Sequence, residues 1–133
     1  MSTIAVDTSA LLAVLLNESS RSDLIAATDG ASLVGPPSLP WEVGNALIAA
    51  ARKKRLTPEE VDRAWKSFSQ VSVRLAEIDV ASALKLAMSA GVYAYDAYVL
   101  ETARQERAPL LTLDAGLQRA ARADGVALLE LAE

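Results

Sequence analysis

Acidic residues stand at four places where apolar runs stop: Asp7 in IAVDTSALLA, Glu42 in LPWEVGNAL, Asp96 in YAYDAYVLETA and Asp114 in LLTLDAGLQRA. Carboxylates so placed either cap helices or gather into one acidic pocket. A pocket of carboxylates in a chain with His 0 and Cys 0 suits a hard divalent cation such as Mg2+ or Mn2+. The chemistry such a site performs is metal-assisted hydrolysis of a phosphate ester. Capping alone accounts for Asp7, Asp96 and Asp114 taken singly, since each precedes an expected helix and would meet its orphan N–H groups and dipole. The two roles are compatible. Glu42 is flanked by Trp41 and Val43, with Asn45 one turn on, which places it at the border of a buried face. A carboxylate buried alone is costly and a cation would compensate it; the alternative is that Glu42 lies on the exposed side of its helix.

The elements that must carry these residues alternate along the chain. Ile4 to Val6 reads as a first strand, followed by a helix over Ala10 to Leu16 capped from Asp7, Thr8 or Ser9. A second helix over 19–28 ends near Gly30, and a short strand covers Ser32 to Val34 before the Gly35-Pro36-Pro37 turn. A long helix runs from about Leu39 to Lys54, with Leu39, Val43, Ala46, Leu47 and Ala50 on one face. Thr57-Pro58-Glu59-Glu60 opens the next helix as a capping box, running to about Gln70 before a strand over Val71 to Leu75. Asp79 caps a helix ending at a left-handed Gly91, and Asp96 opens another through Arg104. Leu110 to Leu113 is a buried strand, Asp114 to Ala123 a helix, and Val126 to Leu129 a last strand. Strands alternating with helices imply an α/β fold with a mainly parallel sheet covered by helices. In such a sheet ligands bind at the carboxyl ends of the strands, where Asp7 and Asp114 fall.

Bulk properties narrow the class. A chain of 133 residues fits one domain over 1–133. Its residues are 52% hydrophobic but only 5% aromatic, so Ala, Leu and Val must supply the core. Without cysteine there is no disulfide framework, which suits a reducing, cytoplasmic location. Without histidine there is no Ser-His-Asp triad and no His-bound zinc. The opening lacks the basic and long apolar regions of a signal peptide, and no apolar stretch reaches membrane-spanning length. A formal net charge of −4 argues against sequence-blind duplex binding, which relies on many cationic phosphate contacts. The basic residues group modestly, as Arg52, Lys53, Lys54 and Arg55 at one helix end and as Arg104 with Arg107. Solvation and the helix dipole explain the first group, though either could track an RNA backbone. There is no aromatic-rich stacking stripe, and core packing is expected of at least one of Tyr93, Tyr95 and Tyr98 near Asp96.

The chain resembles the PIN-domain family and, more narrowly, the VapC-type ribonuclease toxins of toxin–antitoxin pairs. The resemblance covers nearly its whole length. Asp7 to Leu11 (Asp-Thr-Ser-Ala-Leu) matches the first motif, Glu42 with Val43-Gly44-Asn45-Ala46-Leu47 the second, Tyr95-Asp96-Ala97 the third and Leu111-Thr112-Leu113-Asp114 the fourth. Gly116 stands where some relatives carry a further acid, so a fifth carboxylate ligand is not expected. The resemblance implies a three-layer α/β/α sandwich and an Mg2+- or Mn2+-dependent site that cuts RNA. It implies Asp7 and Asp96 as principal ligands, with Glu42 and Asp114 completing the set directly or through water. Ser9 and Thr112 are then candidates for orienting those carboxylates, although such hydroxyls also serve simply as caps. The implied partners are an RNA substrate, a cognate VapB-like antitoxin and a second copy in a homodimer, with no membrane.

Other classes remain open at this stage. A haloacid-dehalogenase-like phosphatase wants a second Asp two residues after its nucleophile, where Ser9 stands. A receiver domain wants an acidic pair at the first strand, which Ile4-Ala5-Val6-Asp7 lacks. A phosphoenzyme on Asp7 would favour either over a nuclease. Within the family, the alternatives are a nuclease of RNA processing and an inactive PIN-like binding module, which would bind no Mn2+ specifically.

Overall fold

The computed structural model describes residues 2–131. In chain order the elements are β1 (Thr3–Val6), α1 (Thr8–Leu15), α2 (Arg21–Thr28), β2 (Ser32–Gly35), α3 (Leu39–Arg52), α4 (Pro58–Gln70), β3 (Val73–Leu75), α5 (Val80–Ala90), α6 (Ala94–Glu106), β4 (Leu110–Leu111) and α7 (Ala115–Ala123). The strands form one sheet in the order β3-β2-β1-β4, and every pairing between them is parallel. Register is set by pairs such as Ile4 with Leu33, Ala5 with Leu110 and Leu33 with Val73.

Side chains alternate across a strand, and β1 uses the alternation to bind two helical layers. Ile4 and Val6 join Ala10, Leu11, Leu24, Val43, Leu47 and Phe68, so α1 to α4 cover one face. Ala5 faces the opposite way, into Val99, Leu100, Leu110, Leu117 and Ala121, so α6 and α7 cover the other, with α5 contributing Leu86. The result is the three-layer α/β/α sandwich expected, with a wholly parallel sheet.

Local chemistry explains most element ends. Thr57 accepts from the Glu60 amide at 3.2 Å while Glu60 accepts from the Thr57 amide at 3.0 Å, closing the capping box. Asp79 caps α5 at Ser82, and Gly91 ends it with φ 67. Some elements differ from expectation, β3 starting at Val73 and not Val71. The last strand, expected over Val126 to Leu129, is reduced to a single parallel bridge between Leu110 and Leu128. Among the described residues it bridges only to β4, which has two residues rather than the four expected: the Leu113 and Asp114 amides turn to side chains, Ser9 Oγ and Thr112 Oγ1. Asp96 does not open its helix either. The helix starts two residues earlier, with Tyr93 as N-cap, and Asp96 lies inside its first turn.

The topology creates the crevice. From β1 the chain moves outward through β2 to β3, then returns to place β4 on β1's other flank. The helices that follow β1 and β4, α1 and α7, pack on opposite faces. The carboxyl ends of these two adjacent strands are therefore left open, the point where ligands bind in open α/β sheets.

Candidate active site

At that crevice Asp7, Glu42, Asp96 and Asp114 line one cavity of ≈ 140 Å3, together with Thr8, Ser9, Pro36, Leu39, Tyr95 and Val99. The four acids come from four elements by one local device. Asp7 caps α1, Asp114 caps α7, and Glu42 and Asp96 lie in the first turns of α3 and α6. Four helix N-termini thus meet at the cavity, and their dipoles favour negative charge there. Capping and clustering are the same arrangement seen at two scales.

Asp7 is the deepest, with 8% of its surface exposed. The Ala10 amide donates to Oδ1 at 3.0 Å, the Ser9 hydroxyl lies 2.7 Å from Oδ1, and Thr112 Oγ1 donates to Oδ2 at 2.5 Å. Both hydroxyls are fixed in turn, because the Leu113 amide donates to Ser9 and the Asp114 amide to Thr112. Gln118 Nε2 donates to the Thr112 carbonyl at 2.9 Å, tying that loop to α7. Ser9 and Thr112 therefore hold Asp7 across the gap between β1 and β4. Asp114 accepts from the Leu117 amide at 3.1 Å, and Glu42 from Ser38 Oγ at 2.6 Å.

The surroundings act on ionisation in one direction. Burial, the largest cause, raises the Asp7 carboxyl above its ordinary 3.8; its hydrogen bonds from Thr112, Ala10 and Ser9 oppose the rise and Asp114 adds to it. Glu42 is raised by burial, against its bond from Ser38, with Asp7 and Asp96 adding repulsion. Asp96 is raised by burial and then by Asp114 and Asp7. None of the residues lining the cavity is a Lys or Arg. Among the described residues no three carboxylates form a ready-made metal cage.

Some participants were not visible from the sequence. Ser38, one helical turn before Glu42, tethers it, a partner that a Ser four residues before a Glu at a helix start signals. Thr8 lines the cavity, yet its Oγ1 is buried without a hydrogen-bond partner among the described residues. At Gly116 a Cβ would lie 3.2 Å from Asp114 Oδ1 and 3.7 Å from Arg119 Nη2, so the missing fifth acid would have stood directly against Asp114.

The sequence profile of the PIN domain matches residues 4–123. The chain belongs to the PIN-domain family. No curated protein matches it. Among solved structures it is similar to PAE2754 from Pyrobaculum aerophilum, with 26% identity and a TM-score of 0.69 over 90% of this chain and 79% of that one. The toxin VapC20 from Mycobacterium tuberculosis, described as cleaving the sarcin–ricin loop, aligns with 14% identity and a TM-score of 0.64, covering 88% and 94%. VapBC2 from Rickettsia felis, solved bound to a promoter DNA fragment, gives 11% identity and a TM-score of 0.68, covering 98% and 99%. These last two share the fold of this PIN domain.

The raised carboxyls make a sign-definite forecast for the metal-free protein. Above about pH 4 the unfolded Asp7 has lost its proton while the folded one still holds it, so its contribution to stability falls as pH rises through its folded value. Asp7→Asn removes that loss. The difference in urea-unfolding free energy, variant minus wild type, should shift toward the variant from about pH 4 to about pH 8 with a chelator present. A constant difference, or one moving the other way, contradicts the raised carboxyl.

Proposed function

We propose that this PIN domain is an Mg2+- or Mn2+-dependent endoribonuclease, the VapC-type toxin of a toxin–antitoxin pair, working in the cytoplasm as a single domain over 1–133. The observation that carries this reading is the meeting of Asp7, Glu42, Asp96 and Asp114 on one cavity with no basic side chain in its lining. The donor set fits a hard divalent cation: it is all oxygen, it is negative, and its most buried member is oriented by two hydroxyls and an amide. Asp7 and Asp96 would hold the ion, with Glu42 and Asp114 acting directly or through water. When bound, the ion acidifies a water and offsets charge developing on the scissile phosphate.

The chain's own residues supply the rest. Ser9 and Thr112 keep Asp7 aimed into the cavity, and Ser38 holds Glu42 toward it. The helix N-termini favour negative charge at the cavity, against the mutual repulsion of the acids. Likeness to VapC20 and VapBC2 supports the toxin reading, and with it RNA as substrate and a VapB-like antitoxin as partner. A cationic side chain of that antitoxin, set among the carboxylates, would take the place of the metal. No helix among the described residues is long and apolar enough to cross a membrane.

A homodimer completes the proposal. Val80, Leu84 and Met88 are 49%, 47% and 86% exposed, and their spacing of four puts them in one stripe along α5. A symmetric pairing is the commonest way to cover such a stripe. Leu84→Asp should leave a folded monomer by light scattering where the wild type is a dimer; a monomeric wild type removes this claim.

Asp7→Asn and Asp96→Asn test the chemistry. Each keeps the side chain's size and much of its bonding but removes ligand charge, and each should abolish Mn2+-dependent RNA cleavage while the fold is retained. Glu42→Gln and Asp114→Asn should act in the same direction. If capping were the acids' whole role, the Asp7 change would cost roughly 1 kcal/mol or less, Asn being nearly as good a cap, with cleavage untouched. Wild-type cleavage by purified Asp7→Asn and Asp96→Asn proteins defeats the assignment.

A further inference from the structure

A second cavity of ≈ 460 Å3 adjoins the acidic one, lined by Thr8, Trp41, Glu42, Asn45 and Tyr95. Thr8, Glu42 and Tyr95 line both, so the two share a wall. Its size falls within the roughly 300–1,000 Å3 of small-molecule pockets. Two aromatic rings border it in the open: Trp41 is 76% exposed and Tyr95 58%. Tyr98 packs edge-on against Tyr95, centroids 5.7 Å apart at 79°, which braces that ring. Asn45 lies one turn from Trp41 on α3 and shares its side of the helix. Thr8 stands at the junction, its hydroxyl buried and without a hydrogen-bond partner among the described residues.

We propose that this cavity receives one unstacked base of single-stranded RNA, the nucleotide next to the phosphate held at the carboxylates; the inference rests on the nuclease reading above. Trp41 and Tyr95 offer the base their π faces, and the Asn45 amide supplies one donor group and one acceptor to its edge. Charge favours this occupant over a duplex. With a formal net charge of −4 and an acidic centre, the protein has few cationic phosphate contacts to bind through, whereas stacking needs none. A paired, stacked base cannot present its faces to the two rings.

Trp41 also borders an apolar hollow with Ile78, Val80 and Tyr98, which leads toward the α5 stripe, so burial of Trp41 by a second copy is the rival outcome. The test uses full-length protein with Ca2+ replacing Mn2+ and short single-stranded RNAs in which one 2-aminopurine, or one abasic nucleotide, is walked along the strand. At one position 2-aminopurine fluorescence should be quenched on binding. Trp41→Ala should weaken binding of base-bearing strands about 10- to 100-fold, the range of single-base stacking, and Trp41→Phe should restore most of it. The abasic nucleotide at that position should cause a similar loss in wild type and little further loss in Trp41→Ala. Light scattering should give the same oligomeric state for all three proteins. Unchanged affinity in Trp41→Ala, equal binding of abasic and base-bearing strands, or a binding loss that accompanies dissociation of a wild-type dimer each overturns the pocket. Mn2+-dependent cleavage by wild type alongside any of these leaves the nuclease reading standing, whereas a wild type that neither binds nor cuts RNA ends both.

Discussion

The burial of one carboxylate at the end of a central strand organises this molecule. Asp7 follows β1, the strand through which β2 and β4 are joined into one sheet, and only 8% of its surface reaches solvent. A charge there is expensive unless it is bonded and compensated. The fold meets the first need from three directions: the first turn of α1, the Ser9 side chain and Thr112 after β4. Those bonds also close the loop between β4 and α7, since the hydroxyls that bind Asp7 accept the Leu113 and Asp114 amides. The site and the end of the sheet are one hydrogen-bonded unit.

The second need, compensation, is not met by the described residues lining the cavity. Nearby carboxylates add repulsion to desolvation at Asp7, Glu42 and Asp96. Helix dipoles offset part of this, which explains why each acid stands at a helix start and not in mid-helix. The remainder is an unfavourable interaction stored in the folded chain, of the kind that concentrates at functional sites. In the reading advanced above a divalent cation relieves it.

Much of this was legible in the sequence because the acids sit at element boundaries. Asp7 and Asp114 follow apolar runs and precede helical patterns, so a parallel sheet alone brings them to one rim. The caps at Thr57, Asp79 and Gly91 have short-range signatures and appear as expected. What escaped depends on contacts between distant segments. The strand at Val126 to Leu129 looked adequate by composition, but its pairing was limited by a two-residue neighbour. The start of α6 moved to Tyr93 because Ala94 and Tyr95 extend a helix as readily as Asp96 begins one. Trp41 read as a flank of Glu42; only the fold, which brings the first turns of α3 and α6 to one rim, sets it on a cavity with Tyr95. An aromatic pair assembled from two helices leaves no stripe in the sequence.

A divalent cation bound at the carboxylate cavity would supply the missing compensation. Calorimetric titration of the chelator-treated protein with Mn2+ tests it most directly. Wild type should bind Mn2+ saturably, and Asp96→Asn, at retained fold, should weaken that binding strongly or remove it. Absence of specific binding in wild type, or an isotherm that Asp96→Asn leaves unchanged, would contradict it.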